Sequence, residues 1–165
     1  LGIQKGQVTQ DGLTGLNNRR RLDQYMWELD ERSGERETCC YLLMDVNKFK
    51  KVNDTYGHVT GDEVLRLVAE QLKRTFGNMQ AFLARYGGDE FVVIVKGKTQ
   101  DEMDVIIHQT QENVNAIAWG ADTPWQLSIS IGCAMRGEQG KQKSHELLAL
   151  ADERMYRQKK GIQDR

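Results

Sequence analysis

The first third of the chain shows helical spacing followed by a short apolar run. Leucine, tyrosine and methionine recur at helical spacing after Asn18, which predicts a first helix that ends at a Ser-Gly pair, residues 33–34. The segment Cys40–Val46 is apolar apart from Asp45, and this predicts a strand that is buried on both faces of a sheet. An acidic residue therefore ends a core strand.

Further helices and strands are predicted in the rest of the chain. Thr60 and Glu63 have the spacing of a capping box ahead of an amphipathic run that Gly77 ends, which predicts a second helix. Apolar residues recur at helical spacing in two later segments and alternate with serine in a third. These segments are the helix 103–117, the strand 127–131 and the helix 147–155.

A hairpin is predicted between the second and third helices. Two β-prone runs, 81–85 and 91–96, are separated by five residues that include Gly87 and Gly88. Glycine allows the positive φ angles that a tight turn requires. The tip of this hairpin carries two carboxylates.

The order of these elements indicates the fold class. A helix is followed by β-α-β-β-α-β and then by a last helix, which is typical of an α+β fold, an α/β sandwich of ferredoxin-like type with extra helices. We expect an antiparallel-rich sheet with helices on one face. The chain has a single proline and the length of one domain. We interpret residues 1–10 as a linker from an upstream region and residues 11–165 as the domain.

Charge and composition exclude several classes of function. The 23 Lys and Arg residues nearly cancel the 24 Asp and Glu residues, so no net field attracts nucleic acid or a membrane surface. No apolar run approaches the roughly 18 residues that span a bilayer. The three cysteines, Cys39, Cys40 and Cys133, lack metal-ligand spacing and favour a reducing compartment, the cytoplasm. Because no Met begins the sequence, we expect a piece of a longer protein.

Three carboxylates at strand ends form the first candidate site. Asp45 ends the first predicted strand, and Asp89 and Glu90 lie at the hairpin tip, so they converge if the two strands are neighbours. Convergent carboxylates suit Mg²⁺, which prefers oxygen ligands and is often held by carboxylates together with substrate phosphate. Taken singly, Asp45 is more simply explained as the cap of the next turn, and the hairpin as a solvated turn. The sequence contains no P-loop, EF-hand or Gly-x-Gly-x-x-Gly motif.

Four ordered motifs resemble those of one known family. They are DGLTGLNNRR at residues 11–20, DVNKFKKVND at 45–54 followed by YGH at 56–58 and GD at 61–62, GGDEF at 87–91, and AD at 151–152 together with Tyr156 and Lys159. On these motifs the chain resembles the GGDEF domain, the diguanylate cyclase family. The resemblance covers residues 11 to about 160.

The resemblance implies that two GTP molecules are condensed into cyclic di-GMP with release of two pyrophosphates. It implies a palm fold like that of nucleotide cyclases and polymerases. Asp45 and Asp89 would bind metal, assisted by the Val46 carbonyl, and Glu90 would be a further ligand or the group that deprotonates the ribose 3′-hydroxyl. Asp89 and Glu90 are therefore the catalytic candidates. The expected cofactor is Mg²⁺, with Mn²⁺ as an alternative.

The resemblance also implies a GTP site. The residues expected to bind the substrate are Lys48, Phe49, Lys50, Asn53, Asp62, Gly87, Gly88 and Lys159. A carboxylate such as Asp62 that accepts from N1 and N2 of guanine rejects adenine, and Asn53 would complete the recognition. A simpler interpretation of Asp62 is an acid in a first helical turn, stabilised by the helix dipole.

Two positions depart from the family pattern. The Arg-x-x-Asp site, where many members bind the product, corresponds here to Asn78 and Ala81, so we expect no inhibition by product at that site. Gln163 stands where the family has an arginine, which would reduce the affinity for triphosphate unless Arg165 substitutes.

The implied reaction requires two copies of the domain, because each copy holds one GTP. Residues 1–10 contain no coiled-coil heptad, so we expect the isolated domain to be monomeric or weakly dimeric and an upstream sensory domain to bring two copies together. The alternative is a catalytically silent GTP-binding module that acts through protein–protein interaction, which Gln163 slightly favours. A different nucleotide specificity is a third option, and Asp62 argues against it.

Overall fold

A four-stranded antiparallel sheet organises the chain in the computed structural model, which describes residues 8–32, 37–120 and 125–163. In chain order the elements are α1 (Arg19–Glu31), β1 (Cys39–Val46), α2 (Phe49–Tyr56), α3 (His58–Phe76), β2 (Ala81–Gly87), β3 (Glu90–Lys96), α4 (Gln100–Asn115), β4 (Ile129–Met135) and α5 (Ser144–Gln163). A 3₁₀ turn, Glu138–Gly140, lies between β4 and α5. The predicted order of elements is confirmed, except that two helices, α2 and α3, connect β1 to β2.

The first strand lies in the interior of the sheet. The strand order is β2-β3-β1-β4, and β1 pairs antiparallel with both β3 and β4. All eight residues of β1 are buried, which confirms the predicted strand. The register places Asp45 opposite Glu90 of β3 and Ser130 of β4. Asp45 therefore lies at the edge of the sheet where the hairpin turns.

Helices cover both faces of the sheet. Leu42 and Met44 of β1 belong to the hydrophobic core that α2, α3 and α4 share, whereas Tyr41 and Leu43 pack with α1 and α5. The expectation of helices on one face is therefore wrong, because it considered only the helices that connect the strands. Successive side chains of a strand point to opposite faces, and here both sets are apolar, so both faces must be buried.

The second predicted helix begins earlier than its pattern indicates. Helix α3 starts at His58, and its N-cap is Gly57, which has φ 90° and makes no side-chain capping bond. Thr60 and Glu63 lie inside the helix, so the predicted capping box is wrong. The positive φ of Gly57 ends α2 and starts α3 without an intervening loop. Gly77 follows the last residue of α3, as predicted.

Helix α5 lies directly on β4, and this contact positions its side chains over the end of the sheet. A Cβ atom at Gly132 of β4 would lie 1.8 Å from the carbonyl oxygen of Ala151 in α5. Only glycine permits so close an approach of the two backbones. The helix then continues toward the end of β1 that carries Asp45.

Some predictions lie outside the described residues. They concern the Ser-Gly helix end at residues 33–34, Pro124 and most of the linker. Among the described helices, none has the length and hydropathy required to cross a membrane.

Candidate active site

The carboxylates that end β1 and begin β3 converge at one edge of the sheet. Asp45 is opposite Glu90 in the β1–β3 register, and the amide of Val46 donates to the carbonyl oxygen of Asp89 at 3.3 Å. Because β1 and β3 are neighbours, the predicted convergence of Asp45, Asp89 and Glu90 is confirmed. Asp45 is only 7% exposed, whereas Asp89 and Glu90 are partly exposed.

Burial and neighbouring carboxylates raise the pKa values of Asp89 and Glu90. The pKa of Asp89 rises to about 7, first because burial disfavours its charged form and second because the carboxylate of Asp45 is adjacent. Burial, then the charges of Asp45 and Asp152, raise the pKa of Glu90. Such a cluster holds excess negative charge, which a bound cation would neutralise.

Lys159 of α5 partly neutralises this cluster. Its Nζ atom lies 2.8 Å from Oδ2 of Asp45. The second carboxylate oxygen of Asp45, Oδ1, is buried and has no hydrogen-bond partner among the residues that the structure describes. The resemblance implies that Lys159 contacts phosphate, and in this structure its ammonium group pairs with Asp45, the expected metal ligand.

The residues of this cluster fit a divalent cation. Among the described residues, no three His, Cys, Asp or Glu side chains surround a common point as a complete metal site. Asp45 nevertheless offers a buried oxygen without a partner, and Asp89 lies beside it with a raised pKa. Hard oxygen ligands of this kind, completed by substrate phosphate, are what Mg²⁺ prefers.

The turn from β1 into α2 carries the expected phosphate-binding residues. Lys48 is the N-cap of α2 in a left-handed conformation, with φ 57°, and no side chain caps the helix. The side chain of Phe49 packs against the core, while those of Lys48 and Lys50 are exposed. The side chain of Phe49 is half-buried, and the uncapped amides of the first turn of α2 face a potential ligand.

The expected guanine-binding residues lie on α2 and α3. Oδ1 of Asn53 is buried without a hydrogen-bond partner. It lies against Gly61, where a Cβ atom would approach it to 1.8 Å. Asp62 is exposed and lies beyond the first turn of α3, so its interpretation as a first-turn acid is wrong.

The glycines of the hairpin leave open space at the tip. The turn between β2 and β3 consists of Gly88 and Asp89, and only Gly88 of the two hairpin glycines has a positive φ, 44°. A Cβ atom at Gly87 or Gly88 would meet no atom within 4 Å. Both glycines are exposed, so the described residues leave their backbone open to a ligand.

Hydrogen bonds from Arg85 stabilise this hairpin, a role that the sequence patterns did not predict. Its Nε and Nη2 atoms donate to the carbonyl oxygen of Gly88 at 2.9 and 2.8 Å, and its Nη1 atom donates to the carboxylate of Asp11. Asp11 also accepts from the amide and the hydroxyl of Thr14. Arg85 and Asp11 are 74 positions apart, so no local pattern connects them.

A cleft beside the cluster adds residues that had no predicted role. It is lined by Asp45, Glu90, Asp152, Glu153, Met155, Tyr156, Lys159 and Lys160. Asp152 contributes negative charge that raises the pKa of Glu90. The helical spacing of Asp152, Tyr156 and Lys159 was the signal that could have assigned them to one face of α5. Asn78 and Ala81 lie away from this cleft, before and at the start of β2.

Comparison with known proteins identifies the family. The family described as "Diguanylate cyclase, GGDEF domain" matches residues 8–165. The chain belongs to the GGDEF domain family. It is 38% identical over 156 residues to the probable diguanylate cyclase DgcI of Escherichia coli, covering 92% of this chain and 31% of DgcI. It is 34% identical over 161 residues to diguanylate cyclase DosC of the same species, covering 93% and 34%. This GGDEF chain thus spans about a third of these relatives.

Solved GGDEF structures share the fold. The GGDEF domain of DgcB from Caulobacter crescentus, in complex with c-di-GMP, matches with a TM-score of 0.82 and 29% identity over 96% of this chain and 94% of that one. The diguanylate cyclase SiaD of Pseudomonas aeruginosa, in complex with its activator SiaC, matches with a TM-score of 0.83 and 27% identity over 92% and 58%. These likenesses confirm the predicted α+β fold.

Proposed function

We propose that this GGDEF domain is a diguanylate cyclase that condenses two GTP molecules into cyclic di-GMP and releases two pyrophosphates. In this proposal it is the output domain of a bacterial signalling protein. The observation that carries the proposal is the carboxylate cluster of Asp45, Asp89 and Glu90 at the β1–β3 edge. The mutual repulsion within this cluster costs stability, and bound cations would offset it.

Asp45, Asp89, Glu90 and the Val46 carbonyl are the proposed ligands of Mg²⁺, or of Mn²⁺. A bound divalent cation would polarise the α-phosphate and favour ionisation of the attacking ribose 3′-hydroxyl. Oδ1 of Asp45, which pairs with no described residue, would be the metal ligand, whereas Oδ2 is paired with Lys159. The triphosphate of GTP would be a further partner for the ammonium group of Lys159.

Glu90 is the proposed proton acceptor when it does not bind metal. Its pKa is raised by burial and by neighbouring carboxylates, which makes it a better base than an exposed glutamate. It begins β3, directly after the turn that would face the nucleotide. The hydrogen bonds that Arg85 donates to the carbonyl oxygen of Gly88 hold this turn in place.

The triphosphate is proposed to lie between the start of α2 and the end of α5. Lys48 and Lys50 offer exposed ammonium groups, and the uncapped amides from Phe49 onward offer hydrogen-bond donors. Lys159 would contact the triphosphate from the end of α5. The open backbone of Gly87 and Gly88 leaves room for the sugar and phosphate.

Asn53 and Asp62 are proposed to read the guanine base. No described residue pairs with the buried oxygen of Asn53, so an N–H donor of the base would satisfy it. The exposed carboxylate of Asp62 would accept from guanine N1 and N2. Adenine offers an acceptor at N1 and would leave both groups unpaired.

Catalysis in this proposal needs two chains that face each other, each with one GTP. The isolated domain is expected to dimerise weakly, and an upstream sensory domain would raise the effective concentration. With Asn78 and Ala81 in place of the family's arginine and aspartate, product would not inhibit at that site. GTP is a cytoplasmic nucleotide, so the proposed reaction belongs in that compartment.

The proposal is tested by incubating the purified chain with GTP and Mg²⁺ and separating the nucleotides by chromatography. We expect cyclic di-GMP from the wild type and no product from Asp89→Ala. Glu112→Ala, which removes an exposed carboxylate on α4, is the matched control and should retain activity. If the wild type binds GTP but forms no product under any condition, the proposal is wrong.

The second candidate is a silent module that binds GTP and signals through a partner protein. The ion pair between Lys159 and Asp45, together with Gln163 in place of arginine, favours this candidate. In that case Asp89→Ala would leave the partner interaction intact, whereas the loss of GTP binding in Asn53→Leu would weaken it.

A further inference from the structure

Cys40 of β1 and Cys133 of β4 bring two thiols together on one face of the sheet. Their Sγ atoms are 2.8 Å apart, which is closer than ordinary van der Waals contact between sulfur atoms. Shortening this distance by about 0.8 Å would reach the S–S bond length of about 2.05 Å. The two sulfur atoms are therefore in direct contact.

The register of the two strands explains this proximity. Cys40 is opposite Met135, and Cys133 is opposite Leu42, so the two cysteines are diagonal neighbours on adjacent strands. Both side chains lie on the side of the sheet that α2, α3 and α4 cover. Cys39 belongs to the core on the opposite face, so it is close in sequence but separated by the sheet.

We propose that Cys40 and Cys133 form a reversible intrachain disulfide that joins β1 to β4 when a peroxide reaches Cys133. The sulfur of Cys133 attacks a peroxide oxygen, the O–O bond breaks, and one water leaves as Cys133 becomes a sulfenic acid. The sulfur of Cys40 then displaces the sulfenic oxygen as a second water, which takes up the thiol proton. Two thiols thereby lose two electrons, and one hydrogen peroxide is reduced to two waters.

The difference in solvent exposure between the two cysteines indicates that Cys133 reacts with the peroxide first. Cys133 is partly exposed, whereas Cys40 is fully buried. The adjacent Cys133 thiol and then burial raise the pKa of Cys40, so Cys40 is a poor first nucleophile. It is well placed as the second, because its partner lies beside it. Low-molecular-weight thiols would reverse the bond by exchange.

The disulfide would constrain β4, the strand on which α5 packs. Arg154 of α5 donates to the carbonyl oxygen of Cys133 at 2.7 Å, and α5 packs on the neighbouring Gly132. A disulfide would therefore tie the interior strand β1 to the strand on which α5 lies. It would also close a loop between residues 93 positions apart, which restricts the unfolded chain.

The test uses the whole chain with hydrogen peroxide as the oxidant. Before any alkylation, we expect the intact mass of the treated chain to fall by two hydrogens. Alkylation in denaturant should then label one thiol instead of the three in the untreated chain. Peptide mapping should find Cys40 joined to Cys133. The midpoint of thermal unfolding should rise by roughly 5–10 °C, and dithiothreitol should reverse every change.

Two variants make the result specific. Cys39→Ser should oxidise like the wild type, because Cys39 lies on the other face. Cys133→Ser should keep its two thiols, a readout that does not depend on its stability. Retention of three thiols in the treated wild type, a bond that includes Cys39, or a bond between two chains would overturn the proposal. None of these readouts depends on the proposed catalytic activity.

Discussion

The contact between Gly61 and Asn53 allows the proposed guanine site to be tested by the addition of one methyl group. In Gly61→Ala the new Cβ atom would lie 1.8 Å from Oδ1 and 2.9 Å from Cγ of Asn53, and 3.3 Å from Cζ of Phe49. Real Cβ contacts essentially never fall below 3.0 Å, so the amide of Asn53 must move. The variant thus displaces the proposed base-reading group without changing it.

The expected changes in the free energies of unfolding and of GTP binding allow an effect on the fold to be distinguished from an effect on the site. Alanine is favoured over glycine in a helix interior by about 1 kcal/mol. Overpacking of a filled site costs about 1–3 kcal/mol, so the net destabilisation should be at most about 2 kcal/mol and the fold should persist. Loss of one or two hydrogen bonds to the base costs about 1–3 kcal/mol, which weakens GTP binding roughly 5- to 150-fold.

The assay is calorimetric titration with a non-hydrolysable GTP analogue, accompanied by urea unfolding of each variant. Gly161→Ala in α5 is the helix-matched control, because a Cβ atom there meets no atom within 4 Å, and its affinity should not change. In the double variant with Asn53→Ala the clash with the amide disappears, so Gly61→Ala should destabilise the chain less than it does alone. Unchanged GTP affinity in a folded Gly61→Ala variant would refute the assignment of Asn53.

Three further predictions concern pH, metal binding and product. Burial alone would raise the pKa of Asp11, but hydrogen bonds from Thr14 and the charge of Arg85 lower it below its usual value of 3.8. This pair therefore stabilises the fold above that pH and loses its effect as the pH falls further, so Asp11→Asn should lose more stability to urea, relative to the wild type, at pH 7 than at pH 2.5. An equal difference at both pH values would contradict this reasoning. Lys159→Met frees Asp45, so the nucleotide-free variant should bind Mn²⁺ more tightly in calorimetry, and weaker binding would count against the ion pair. Micromolar cyclic di-GMP should not inhibit turnover, because the arginine and aspartate of the family's product site are absent, whereas noncompetitive inhibition would indicate another site.

The sequence predicted what depends on local patterns. Apolar runs and turn residues fix the order of elements, and the acid at the end of a buried strand correctly indicated that Asp45 would meet the hairpin tip once β1 and β3 paired. Helix α2 was missed because its eight residues contain a single buried side chain, that of Val52. The start of α3 was misplaced because the glycine that separates the helices acts through its backbone conformation, which a capping-box pattern does not include.

Contacts between distant parts of the chain could not be predicted in the same way. The ion pair between Arg85 and Asp11 joins residues 74 positions apart. The ion pair between Lys159 and Asp45 joins residues 114 positions apart. Each depends on how helices and loops pack on the sheet, and a long side chain has many potential partners before that packing is known. The covering of the second face by α1 and α5 was missed because both helices lie outside the βαββαβ unit.

The central claim is that two copies of this domain join two GTP molecules. It is tested most directly by measuring the initial rate of cyclic di-GMP formation from GTP and Mg²⁺ over a wide range of chain concentrations. We predict a rate that rises with close to the square of concentration while the chain is mainly monomeric. A product other than cyclic di-GMP, or no product while GTP still binds, would contradict the claim.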